Sequence, residues 1–62
     1  MKVRLLVASV TYGQKGRDIL RRSGLSAYLK RESGCRYVLE VDASREAQAR
    51  KLLREGGVGV LS

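Results

Sequence analysis

Residues 25–41 read LSAYLKRESGCRYVLEV, and the way this stretch divides decides the fold. Leu25, Ala27 and Leu29 alternate with Ser26, Tyr28 and Lys30, the two-residue period of a strand buried on one face. Arg31, Glu32, Ser33 and Gly34 interrupt the alternation as a turn, and Cys35, Tyr37, Leu39 and Val41 resume it. The pattern predicts an antiparallel hairpin in the middle of the chain.

Upstream, KVRLLVA (residues 2–8) places Val3, Leu5 and Val7 on one face and Lys2, Arg4 and Leu6 on the other, which predicts a first strand. Ser9 is the natural N-cap of a helix in VTYGQKGRDILRRS. Tyr12, Gly16, Ile19, Leu20 and Ser23 share one face of that helix, and Gly24 closes it. Gly13 and Gly16 weaken its intrinsic helicity. Downstream, Asp42 and Ser44 compete to cap a second helix, REAQARKLLREG, with Ala49, Leu52, Leu53 and Gly56 as its buried stripe. Gly56 and Gly57 end it, and VGVL forms a last short strand. The order is βαββαβ, an α+β chain. Right-handed crossovers then place two helices on one face of a four-stranded antiparallel sheet of order 4-1-3-2, the ferredoxin-like sandwich. The phrases RRSGL and REGGV, each closing a helix, echo one another as internal pseudo-symmetry.

With 62 residues the chain makes one domain, residues 1–62, near the size at which a single core only just offsets chain entropy, and a deep closed cavity is not expected. One cysteine and no histidine leave no internal disulfide, no conventional metal cluster and no cofactor. The amino-terminal apolar run is too short to span a bilayer and reads as a core strand of a cytoplasmic protein with no membrane partner. Thirteen Lys and Arg against six Asp and Glu give +7, which favours anionic partners without naming them.

In the expected topology the end of strand one, the amino end of helix one and the turn before Cys35 lie at one edge of the sheet. Cys35 is then expected near Ser9, Val10 and Thr11. In register with Tyr37, Leu39 and Val41, it faces the free amides and positive end of helix one. Ser9, Thr11, Lys30 and Arg36 become candidate anion-binding or thiolate-stabilising groups, with Lys15 and Arg31 nearby, and Cys35 a thiol of lowered pKa. The competing reading is a small buried apolar side chain, with Ser9 and Thr11 as helix caps and Lys30 and Arg31 as a solvated turn.

The residues SVTYGQKGRDILRRSGL and SGCRYVLEV together resemble a small bacterial family, the selenium/sulfur carrier-like proteins, over most of the chain. The matching elements are Ser9, Val10 and Thr11; Ile19 and Leu20 with Gly24 and Leu25; Gly34 and Cys35; Tyr37 to Val41; and Leu52 and Leu53 with Gly57 and Val58. Arg36 stands where the family commonly has a glycine, and the proline frequent in the preceding loop is missing from LKRES. The resemblance implies a non-catalytic carrier in which Cys35 holds sulfur or selenium as a persulfide or selenopersulfide, between a donor and an acceptor protein. With no second cysteine, release needs a partner's thiol or an external reductant.

Two other readings compete. A nucleic-acid module would use the uncovered sheet face, where Arg4, Leu6, Tyr28, Lys30, Arg36 and Val38 offer one aromatic, against the two or three on which such sheets stack bases. The basic residues of the two helices read as solvated faces. A protein-interaction or homodimer surface would use Leu6, Val38 and Tyr28, the apolar centre of the same face.

Overall fold

The structure, a computed structural model, describes residues 1–34 and 36–61. Strand β1 (Lys2–Val7) leads into helix α1 (Val10–Arg22); strands β2 (Ala27–Ser33) and β3 (Arg36–Asp42) form the hairpin; a 3-10 turn (Ala43–Arg45) leads into helix α2 (Glu46–Glu55). The sheet is antiparallel with order β1-β3-β2, so β3 is central, pairing Leu39 with Leu5 on one side and Leu29 on the other. Leu5, Val7, Leu39 and Val41 belong to the buried core cluster, with Val3, Leu29 and Tyr37 partly buried against it, and Leu20 of α1 and Ala49 and Leu53 of α2 close it from one side.

Three strands are present among the described residues, and within them VGVL does not extend into a fourth. VGVL contributes one antiparallel bridge, Val7 to Val60, and one further bond, Leu61 N–H to the Leu6 carbonyl at 2.7 Å. Val58 is spent on the core, 2 % exposed, which leaves too few residues alongside β1 for a ladder.

The two echoing phrases prove to be one device used twice. At the end of α1, Gly24 adopts φ 82°, its N–H bonds the Arg21 carbonyl, and Leu25 N–H reaches back to Leu20. At the end of α2, Gly57 adopts φ 79°, its N–H bonds Arg54, and Val58 N–H reaches Leu53. Both are Schellman caps, in which a left-handed glycine lets the next apolar residue fold back onto the helix it has left. Leu25 and Val58 are buried accordingly, and β2 begins at Ala27, after the cap.

Three local expectations are corrected. β2 runs on through Ser33, so the turn contracts to Gly34, whose φ of 50° suits glycine. The register shift between Arg31 and Ser33 is a bulge that absorbs the additional residue. Neither Asp42 nor Ser44 caps α2: its N-cap is Arg45, with no side-chain bond, and the Asp42 carboxylate is held by Lys2 at 3.0 Å. Tyr12 is 45 % exposed, and the buried face of α1 is Gly13, Gly16 and Leu20. The helical glycines thus answer to packing, since α1 lies so close to the sheet and α2 that no side chain fits beneath it.

Candidate functional site

The N-cap forms as the sequence implies: Ser9 is extended, its hydroxyl accepts the Tyr12 N–H at 3.3 Å, and its carbonyl accepts from Gly13 at 2.9 Å. The amides of Val10 and Thr11 precede the first helical hydrogen bond, as at any helix start, and carry the positive end of α1. Thr11 is exposed in this first turn.

Pairing of Val7 with Tyr37 sets the exit of β1 beside the first residues of β3. Ser9, Thr11 and Arg36 therefore gather at one end of the sheet. Arg36 is exposed, opposite Ser33, and strand alternation puts it with Val38 on the face away from the helices. Cys35, the proposed reactive residue, lies outside the described residues; Gly34 and Arg36 on either side of it are at this same end.

Lys30 does not join them. It sits opposite Val38 on the uncovered face, and its ammonium lies 3.3 Å from Glu40, which also holds Arg4 at 3.4 Å. Lys2 is paired with Asp42 and stands 5.4 Å from the centre of the Tyr28 ring. Sequence alone gives no role to Glu40 and the wrong one, a helix cap, to Asp42. Their signal was present: in an antiparallel register Lys2 falls opposite Asp42 and Arg4 opposite Glu40.

These carboxylates reshape both competing readings. Lys2, Arg4 and Lys30 are engaged by Asp42 and Glu40 on their own face, which lowers the positive charge there, Arg36 excepted, that could track a phosphate backbone. Tyr28 is the one aromatic of that face among the described residues. Val38, expected as part of an apolar centre, is only 4 % exposed, because long side chains such as Arg4 and Lys30 lie around it.

The ion pairs carry a pH dependence. Hydrogen bonding from Lys30, with Arg4 adding, holds Glu40 below its ordinary value of 4.5, and Lys2 holds Asp42 below 3.8. The bond to Asp42 raises Lys2 above 10.5. A carboxylate whose pKa falls on folding stabilises the fold above its unfolded value and loses that contribution as pH drops through the folded one; a lysine whose pKa rises does so below its unfolded value and loses it as pH climbs. Thermal melts are expected to plateau between about pH 5 and 10 and to decline on both sides. Asp42→Asn should blunt the alkaline decline, and added salt should shrink both limbs, since these groups face solvent. An alkaline limb unchanged in Asp42→Asn would remove Lys2 from this account.

No helix among the described residues is long and apolar enough to cross a membrane. Comparison of the chain with protein-family models, with curated proteins and with solved structures finds no match.

Proposed function

We propose that this protein is a single-cysteine carrier of sulfur or selenium, working between a donor and an acceptor protein in the reducing cytoplasm. The observation that supports this reading is the pairing of Val7 with Tyr37, which sets the Ser9-capped start of α1 at the same end of the sheet as Gly34 and Arg36, the sequence neighbours of Cys35. An anionic sulfur at that end would be favoured by the amides of Val10 and Thr11 and by Arg36. Ser9 contributes through the cap, and Thr11 through its place in the first turn. Lys30, committed to Glu40, belongs to the sheet's ion pairs instead.

We read the architecture in the same proposal as ferredoxin-like. The Val60 bridge lies on the free edge of β1, where a fourth strand would give the order 4-1-3-2.

The transfer balances without an oxidant. The Cys35 thiolate attacks the terminal sulfur of a donor persulfide, a new S–S bond forms, the donor's S–S bond breaks, and the donor leaves as a thiolate that takes up a proton. Attack by an acceptor nucleophile on the same terminal sulfur reverses the exchange and regenerates the Cys35 thiolate. Selenium follows the same bookkeeping as a selenopersulfide.

The test is intact-mass measurement after incubation with glutathione persulfide. Wild type is expected to gain about 32 Da and Cys35→Ser nothing, with Arg36→Glu slowing the gain several-fold through loss of local positive charge. No adduct on wild type, or equal adducts on wild type and Cys35→Ser, would overturn the reading.

A further inference from the structure

On the far side of β1 from β3, a groove of about 480 Å³ runs between α2 and the chain that follows it. Arg50 and Arg54 form one wall, and the backbone from Gly57 to Val60 forms the other. Lys15 of α1 does not line the groove but comes close to its Gly57 end: its ammonium would lie 3.9 Å from a Cβ built on Gly57. Arg50 is bonded to Glu46 at 3.0 Å, one turn back on α2.

Two features lack an explanation in folding alone. The first is charge. Cations at a helix C-terminus commonly serve its last carbonyls, but here Leu52, Leu53 and Arg54 already accept from Gly56, Val58 and Gly57 through the Schellman cap. Lys15 and Arg54 are therefore not required as caps. The second is Gly59. Gly57 needs its left-handed φ and Gly56 lies against Ile19, whereas Gly59 has no positive φ and nothing within 4 Å of where a Cβ would stand. A glycine costs chain entropy in an ordered segment, and this one answers neither to backbone nor to packing. What it does is keep the wall of the groove bare.

The geometry points to a binding site for a phosphate group in this groove, held by the Arg54 guanidinium against the uncovered backbone at Gly59, with the Lys15 ammonium within reach from the Gly57 end. A guanidinium fork and an ammonium are the groups that bind phosphate oxygens most strongly in a solvent-facing site. The groove is larger than a bare phosphate, within the size range of small-molecule sites, so a phosphorylated small molecule is the fitting class. The site is separate from the thiol reading and does not depend on it.

The experiment uses the full chain, labelled with nitrogen-15, titrated with inorganic phosphate and, as a second arm, phenyl phosphate, against chloride at matched ionic strength. Saturable amide shifts are expected around residues 54–60, stronger binding of phenyl phosphate, and about tenfold weaker binding in Arg54→Gln, the loss of one charge-assisted contact. Gly59→Val keeps every charge and has open space in which to fold, and it should weaken binding similarly. Shifts that rise without saturation over the whole basic surface, or variants that bind like wild type, would overturn the site. Equal affinity for the two phosphates would overturn the small-molecule assignment, leaving only a bare-anion contact.

Discussion

Leu39→Ala is expected to lose about 3–5 kcal/mol of stability, enough to unfold much of the population at physiological temperature. Leu39 is fully buried at the middle of the central strand, between Leu5 and Leu29 across the ladder and beneath Gly16 of α1. Truncation opens a cavity that cannot collapse, since β3 is held on both edges and both helices rest on the same cluster. A chain of this size has a total stability of roughly 3–9 kcal/mol, so the loss is of the same order as the whole. Urea unfolding followed by circular dichroism checks it, with Leu39→Met as the volume-conserving control at under about 1.5 kcal/mol. A loss below about 1 kcal/mol for the alanine variant would mean that the core closes elsewhere.

Gly16→Leu tests helix propensity against packing, which here have opposite signs. Intrinsic propensity alone favours the substitution by close to 1 kcal/mol, because glycine is a poor helix former. Packing forbids it: even a Cβ at this position would stand 2.8 Å from Leu53 Cδ2 and 2.9 Å from Leu39 Cδ1, with Val58 Cγ1 at 3.5 Å. Leu39 and Leu53 are both fully buried and have no solvent to retreat into. Overpacking of this kind costs about 1–3 kcal/mol for extra methylenes, and a whole leucine side chain is expected to exceed that by driving α1 off the sheet. Gly16→Ala should be milder but still destabilising. Melting temperatures of the two variants decide the matter, and a stabilised Gly16→Ala would show that the helix can lift without loss.

Much of this fold follows from local pattern alone. The alternation in KVRLLVA and CRYVLEV marks which side chains face the helices, and the structure buries Leu5, Val7, Leu39 and Val41 as that parity requires. Ser9 caps α1, and the glycines of RRSGL and REGGV close both helices, because caps depend on bonds within a few residues. The chain that follows Gly57 forms less than a strand among the described residues for a physical reason: VGVL has the composition of a strand, but its first valine is drawn into the cap's apolar contact, which leaves Val60 and Leu61 to meet β1.

The candidate site divides along the same line. Sequence alone singled out Cys35, the basic residues near it and the capped helix, each from its own chemistry. Only the tertiary structure decided that Lys30 is paired with Glu40 across the sheet while Arg36 lies at the end of the sheet from which α1 starts. Only there, too, does Gly16 turn from a weak point of a helix into the contact that lets α1 approach Leu39 and Leu53. By itself the sequence determined periodicity, caps and net charge, which are written within a few residues of one another. Ion pairing and close approach join residues far apart in the chain, and these arise when register and packing bring them within a few ångströms.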